Sequence, residues 1–282
     1  MEAQWLPRRR MIGAKHADRR LNVETALAEA QKLQNDRNYR DRKGLFFIEG
    51  VRNFIQARDV GWEMSVILFS EKLCIAPIAR KLFRRARRNG TPCVNLTPEQ
   101  FRQVSRADRA SGIAAILPQH WSPLQQISPQ TGLCWIALET IRSPGNFGTL
   151  IRTSEAVGGA GFILIGTDID PFDANVIRAT MGGIFRQRFV RTTYRDLKQW
   201  LRRHRCETIG ASPDGAIDLH RFHYPASTLL LLGEERQGLN SRQRELCQHL
   251  VRIPMQGEAD SLNLAVAGSL LMYEVWRSRS LE

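Results

Sequence analysis

The chain has 282 residues, 43% of them hydrophobic, and 41 Lys and Arg against 28 Asp and Glu give a formal charge of +13. That apolar share supports a packed core and excludes a disordered chain, while no apolar run reaches the ~18 residues of a membrane span. Five cysteines (Cys74, Cys93, Cys134, Cys206, Cys247) form no CxxC pair, which argues against zinc and for a reducing compartment. The first twenty residues carry no apolar run of the secretory kind, so a cytoplasmic protein is expected. The charge is unevenly placed. Residues 1–120 hold 23 Lys/Arg and 12 Asp/Glu, hence +11, and residues 121–282 hold 18 and 16, hence +2. A basic half on a near-neutral half points to a polyanion-binding module joined to something else.

Residues 1–20 read as a flexible basic arm with Arg8, Arg9 and Arg10. From Asn22 to Asn35, Val23, Ala26, Leu27, Ala30 and Leu33 repeat at helical spacing, and Asn22 is placed to cap the helix. Asn38–Gly44 reads as a polar turn, Leu45–Ile48 as a strand, Val51–Ala57 as a helix and Val66–Phe69 as another strand. Ile75–Asn89 reads as a helix with Arg80, Arg84 and Arg88 at i, i+4 and i+8, and Lys81 and Arg85 beside them. Adjacent cationic rows repel by a few tenths of a kcal/mol per pair, so this face suits an anion lying along it; a solvated or dimer face is the alternative. Pro92–Leu96 and Gly112–Leu117 complete a small α/β domain over residues 21–118. Residues 119–132, within a segment holding three prolines and little charge, read as a linker or a domain-crossing segment.

From residue 133 the pattern becomes strand, loop, helix, strand, the building block of a parallel sheet. Leu133–Leu138 is a short buried strand, the next loop carries Pro144, Gly145, Asn146 and Gly148, and Leu150, Ile151, Ser154 and Val157 recur at helical spacing before Gly158-Gly159. Phe162–Ile165 is a second buried strand. Ala174–Gly182 reads as a helix with Arg178 exposed or facing a ligand, Phe185–Val190 as a half-buried strand and Tyr194–Arg205 as an amphipathic helix. Glu207–Ala211, Thr228–Leu232 and Leu250–Met255 are further strands, the second apolar enough to lie centrally. Ser261-Leu262-Asn263 opens a long apolar helix through Trp276.

Three loops stand at the carboxyl ends of predicted strands: Glu139–Gly148, Gly233–Gly238 and Met255–Asn263. In a parallel sheet such ends share one edge, where α/β proteins place ligands. The loops offer Asn146, Arg152 just beyond, Glu235, Ser261 and Asn263, a polar cluster without a metal set, a Ser-His-Asp arrangement or a reactive thiol. Neither GxxxxGK[ST] nor a strand-borne GxGxxG is present, which removes NTPases and nucleotide-dependent dehydrogenases. Each member also has a plainer reading: Ser261 as a helix cap, Asn263 as a ligand for first-turn backbone, Glu235 as a solvated acid, and Gly233 and Gly238 as turn glycines with positive φ.

The segments NFGTLIRTSEAVG, LLLGEERQGL and RIPMQGEADSLNLAVAGSLLMYE resemble, in order, the three motifs of the SpoU-type RNA ribose 2′-O-methyltransferases of the SPOUT trefoil-knot superfamily. YRDRKGLFFIEGVRNFIQA through SGIAAILPQ is similar to that family's ribosomal-protein-like RNA-binding domain. The resemblance implies an α/β fold whose C-terminal parallel-sheet domain, residues 133–282, holds a deep trefoil knot. It also implies S-adenosylmethionine as methyl donor, RNA as substrate (ribosomal 23S-type favoured over tRNA) and a homodimer. On the matching positions, Asn146, Arg152, Glu235, Ser261 and Asn263 carry the chemistry, and Gly233, Ile253 and Leu262 contact the cofactor largely through backbone. Two departures stand out: Glu234 occupies a position usually held by a small residue, and the loop Ser105–Ser111 is more basic than the family pattern. A non-catalytic RNA-binding or ribosome-assembly protein on the same scaffold is the competing expectation.

The basic first half is expected to supply RNA affinity without chemistry, with Arg80, Arg84 and Arg88 toward phosphates. Methyl transfer from a sulfonium is an in-line displacement, so alignment supplies much of the rate. The family resemblance gives the motif-one arginine the task of activating the ribose hydroxyl. A guanidinium in water has a pKa above about 12 and is a poor base. Arg152 is better suited to clamping the adjacent phosphate and stabilising developing alkoxide charge. Arg152→Lys keeps the charge and loses the fork, and its turnover number is expected to fall. Full turnover in that variant would exclude a bidentate clamp.

Overall fold

Two sheets organise the described residues, one of four strands and one of seven. The computed structural model describes residues 22–280; the expected basic arm lies outside the described residues. The first sheet is built from α1 (Val23–Asn35), α2 (Arg37–Lys43), β1 (Leu45–Glu49), α3 (Val51–Asp59), β2 (Val66–Phe69), α4 (Pro77–Arg88), β3 (Cys93–Asn95), α5 (Pro98–Arg102) and β4 (Ile113–Pro118). Its order is β1-β4-β2-β3, with β4 antiparallel to β1 and β2, and β2 parallel to β3. Helix α1 starts where the cap signal places it, the Asn22 side chain accepting from the Thr25 amide.

Asn38–Gly44 is not a turn. It is most of α2, capped by the Asp36 side chain and ended by Gly44 in the left-handed region at φ 63°. The apolar period is absent because the residue this helix buries is an arginine. Arg40 donates to the Leu33 carbonyl and to the Asp170 carboxylate, and a fully paired guanidinium replaces the usual leucine.

The second sheet follows a 3-10 turn at Leu124–Gln126. It comprises β5 (Trp135–Leu138), α6 (Pro144–Ala156), β6 (Gly161–Ile165), α7 (Ala174–Thr180), β7 (Arg188–Thr192), α8 (Tyr194–His204), β8 (Glu207–Ala211), β9 (Ile217–Asp218), β10 (Thr228–Leu232), α9 (Ser241–Leu246), β11 (His249–Arg252) and α10 (Leu264–Ser280). The order is β7-β6-β5-β10-β8-β11-β9, and every pairing is parallel. Strand β10, buried at all five positions, lies between β5 and β8 as its apolar run predicts. Phe185 belongs to a 3-10 turn, Gly183–Arg186, and the strand begins only at Arg188. The expected alternation there reflects a buried Phe185 beside a chain turn.

The two sheets share one apolar core. A continuous buried cluster runs from Phe46, Ile48 and Phe54 to Phe172, Phe185 and Phe189. The rings of Phe46 and Phe172 lie 4.8 Å apart, and Trp62 donates its indole N–H to the Phe185 carbonyl at 3.0 Å. Residues 119–132 begin at this shared boundary, with the Trp121 ring against Phe172, and cross to the other face of the second sheet, where Leu124 and Ile127 are buried in a separate cluster with Trp135 and Trp200.

An ion pair crosses the same boundary. Arg40 Nη2 lies 2.6 Å from Asp170 Oδ2, the two side chains being 3% and 7% exposed. Arg37 adds bonds to the Asp168 and Ile169 carbonyls. Asp173 Oδ2 stands farther off, 3.5 Å from the same Nη2, so removing Asp170 strips the buried guanidinium of its short, hydrogen-bonded counter-ion. Asp170→Ala is therefore expected to lower stability by about 3 kcal/mol in a urea titration, and a change under ~0.5 kcal/mol would show that the boundary is wet and loosely packed.

Candidate active site

The loop that opens α6 is fixed by its own sequence. Ser143 caps the helix, its side chain accepting from the Asn146 amide, and Pro144 occupies the first turn, where a missing N–H costs nothing. Gly148 is required by helix packing: a Cβ there would stand 2.3 Å from that of Ala179 on α7. On the α10 side, a Cβ on Gly268 would reach 2.5 Å from Leu150 Cδ2, and the Thr153 and Ser269 hydroxyls share a hydrogen bond of 2.9 Å. Helix α6 is thus held closely by both neighbours.

At the end of β10 the chain folds back on itself. The amide of Glu234 donates to the Gly238 carbonyl and that of Gly238 to the Glu234 carbonyl, each at 3.0 Å. Gly238 has φ 65°, as a turn glycine does, but Gly233 is needed for close approach instead: a Cβ would lie 2.1 Å from the Gly238 carbonyl carbon. This tight turn directs Glu235 at the β5–α6 loop. Its carboxylate accepts from the amides of Arg142 (3.2 Å) and Ser143 (3.4 Å) and from Asn146 Nδ2 (3.2 Å). The departure at Glu234 has a partner of its own, the Arg142 guanidinium.

Burial pushes the Glu235 carboxyl up, but its own amide, the Asn146 side chain and the amides of Arg142 and Ser143 hold it below the ordinary carboxylate value. The sign follows: the stabilisation these bonds provide is present above the ordinary carboxylate pKa and is lost as pH falls through the lowered one.

The third loop joins through Asn263. Its Nδ2 donates to Asn146 Oδ1 at 3.1 Å, while its Oδ1 accepts from the amides of Ala265 (2.8 Å) and Val266 (3.4 Å). Asn263 is therefore the cap of α10. Ser261, for which capping was one reading, sits on the exposed loop before it. Glu235, Asn146 and Asn263 form one hydrogen-bonded relay across the three loops.

The remaining sequence candidates lie around this relay or away from it. Ile253 and Leu262 are half-buried at the two ends of the third loop. Between Ile253 and Leu262 no backbone–backbone hydrogen bond forms among the described residues, so this stretch presents open N–H and C=O groups on the loop that leads to Asn263. Arg152 is exposed. Six residues beyond Asn146, it lies about 120° away around the helix, and among the described residues it makes no hydrogen bond to the relay. Arg80 donates to the Cys74 and Glu71 carbonyls and so braces the loop before α4, leaving Arg84 and Arg88 as the exposed members of that row. Sequence reasoning missed Arg142 and Ser143. The Ser-Pro pair at 143–144 is a readable helix-start signal for the latter; nothing in the sequence marks the Arg142–Glu234 pair.

Residues 134–273 match the model of the SpoU rRNA methylase family, and residues 26–115 match the MRM3-like substrate binding domain. The chain is 30% identical over 271 residues to the 23S rRNA (uridine(2479)-2′-O)-methyltransferase of Streptomyces viridochromogenes, covering 93% of each chain. The chain belongs to the SpoU rRNA methylase family. Among solved SpoU structures, AviRb from Streptomyces viridochromogenes, in complex with AdoMet, is similar with a TM-score of 0.83 and 29% identity over 90% of this chain and 98% of that one. The AdoMet-bound rRNA methyltransferase from Sinorhizobium meliloti gives 0.81 and 30% over 89% and 94%. The SpoU match contains all three loops of the relay.

The two jobs of Asn263 in this SpoU domain are separable by stability. Asn263→Ala loses the cap and is expected to cost about 1 kcal/mol in chemical denaturation. Asn263→Ser keeps a capping oxygen and loses the donor to Asn146 without setting a second acceptor against Asn146 Oδ1, so it should stay within ~0.5 kcal/mol of the parent protein. Equal losses in both would assign the stability to the Asn146 contact.

Proposed function

We propose that this protein transfers the methyl group of S-adenosylmethionine to a ribose 2′-hydroxyl of RNA, with 23S-type ribosomal RNA as substrate and the cytoplasm as its place of work. The relay from Glu235 through Asn146 to Asn263 carries this reading, because it converts three motif loops distant in sequence into one rigid edge of the sheet.

The chain's own residues fit the cofactor. Gly233 keeps side-chain bulk out of its turn, Ile253 and Leu262 supply apolar surface, and the open backbone between them offers donors and acceptors to a nucleoside. When bound, S-adenosylmethionine supplies an electrophilic methyl on a sulfonium. Glu235 holds Asn146 and the α6 loop in place, and Asn263 ties the cofactor-side loop to both. Ser261, on the exposed segment, orients the ribose. Arg152 binds the phosphate beside the acceptor and stabilises charge on the 2′-oxygen as the hydroxyl proton leaves to solvent.

The position of Arg152, off the relay face of α6, is accounted for if the working unit is a homodimer in which the site is completed across the interface. Helix α10 has the surface for it: Val266, Leu270, Tyr273 and Trp276 are 39–54% exposed, three of them in a stripe of i, i+4 and i+7 spacing. The trefoil knot belongs to the same reading, since the chain passes beyond β8 to form β11 and then returns to pack α10 on α6. The first sheet, with Arg84 and Arg88 of α4, supplies RNA affinity from residues 21–118, residues 119–132 join it to the catalytic unit at 133–282, and Arg80 shapes the loop beside it.

Expression in a host lacking this gene, followed by mapping of 2′-O-methyl marks on total RNA, is expected to reveal a new mark on large-subunit ribosomal RNA. Asn146→Ala should reduce it at least ~100-fold through misplacement of the α6 loop. A mark on tRNA would reassign the substrate, and a protein that binds RNA but not S-adenosylmethionine in a calorimetric titration would be a binder on a methylase scaffold.

A further inference from the structure

A cavity of about 500 Å³ opens beside the first turn of α6, lined by Pro144, Gly145, Asn175, Arg178 and Ala179. No acid is among these residues, and the polar side chains are a guanidinium and an amide, both exposed. The cavity adjoins the relay through sequence, because Gly145 precedes Asn146. It also shares a helix face with Arg152. Seven residues separate Gly145 from Arg152, which places the two within about 20° around α6 and ~10 Å apart along it.

The opposite side of Arg178 meets the first domain. Its Nη1 donates to the Arg106 carbonyl at 3.4 Å, in the basic loop Ser105–Ser111 that departs from the family pattern. That loop is anchored at its base. Glu49, at the end of β1, accepts from the Ser105 hydroxyl at 2.6 Å and from the Arg106 amide at 3.0 Å. The Arg106 guanidinium in turn reaches the Gln34 carbonyl and Asn35 Oδ1 at the end of α1. The loop is a braced strut, with Arg109 exposed near its tip.

We propose that this cavity seats a backbone phosphate of the RNA strand that enters the active site, gripped by Arg178 and Asn175, with the Ser105–Ser111 loop aiming Arg178 from the first domain. The inference rests on the methyltransferase reading above and extends it. The first domain then takes part in placing the acceptor within its own subunit, and the strand runs along the α6–α7 seam from Arg178 toward Arg152. A guanidinium presents its fork to phosphate oxygens while one N–H remains on the Arg106 carbonyl.

The test compares the full-length protein with Arg178→Gln, which keeps a donor for the Arg106 carbonyl without the charge, and Arg178→Lys, which keeps the charge. Binding of purified large-subunit ribosomal RNA is measured across a salt series, together with kcat, KM, the Kd for S-adenosylmethionine and Tm. Arg178→Gln is expected to bind RNA about tenfold more weakly, with the log–log salt slope reduced by about 0.7–0.9. Its KM for RNA should rise about tenfold at nearly unchanged kcat, with the cofactor Kd and Tm unaltered, and Arg178→Lys, which keeps the charge and loses the fork, should restore the salt slope with only part of the affinity. Equal RNA affinity and slope in wild type and Arg178→Gln would overturn the phosphate assignment. So would a parallel loss in both variants accompanied by a lowered Tm, which marks a strut only. A wild-type protein that leaves no methyl mark overturns the methyltransferase reading instead, and the salt slopes still decide whether Arg178 holds a phosphate.

Discussion

The Glu235 carboxylate gathers the active edge of this protein. Its oxygens take two main-chain amides from the loop after β5 and the Asn146 side chain from the first turn of α6, and Asn146 passes the tie to Asn263. Strands β5 and β10 are neighbours, but β11 is separated from β10 by β8, so sheet pairing alone leaves the third loop unattached. A carboxylate suits the central position because it is acceptor-only, with several lone-pair sites in reach of donors arriving from different directions. Its bonds are charge-assisted, and this makes a half-exposed network stiffer than neutral amides would.

Much of the arrangement was legible in the residues themselves. Asn22 as a cap, the all-buried run of β10 and the three loops at strand ends depend on local chemistry, which a sequence displays directly. Asn263 as a first-turn ligand was also among the readings open from the start. What escaped was tertiary. Arg40 looks like a surface residue until Asp170, 130 positions away, is beside it, and so α2 read as a turn. Gly233 looks like a turn glycine, whereas its φ is ordinary and the collision lies with Gly238 across the turn. The Arg142–Glu234 pair carries no periodicity at all. The strand-end loops had already offered Asn146, Glu235 and Asn263, which the structure joins by hydrogen bonds; the resemblance to a known family added the roles expected of them, and those expected of Arg152 and Ser261, which stand outside the relay.

The expectation of a basic module joined to a near-neutral one by a linker or a domain-crossing segment captured the charge and left the mechanics open. Phe46 of the first sheet enters the same apolar cluster as Phe172 and Phe185, with Trp62 packed against it, and the connecting segment adds Trp121 to that boundary while burying Leu124 and Ile127 in a separate cluster of the second sheet. Relative motion of the two units would have to separate packed aromatic rings and unpair a buried guanidinium.

That continuous core also bears on how such proteins can diversify. A substrate-binding unit exchanged between relatives as a cassette would arrive without the Asp170 its arginine requires and without the ring that Phe46 packs against. A functional chimera would need to carry the 168–173 and 183–186 segments with the incoming unit, which makes inheritance of RNA preference a matter of paired segments on both sides of the seam.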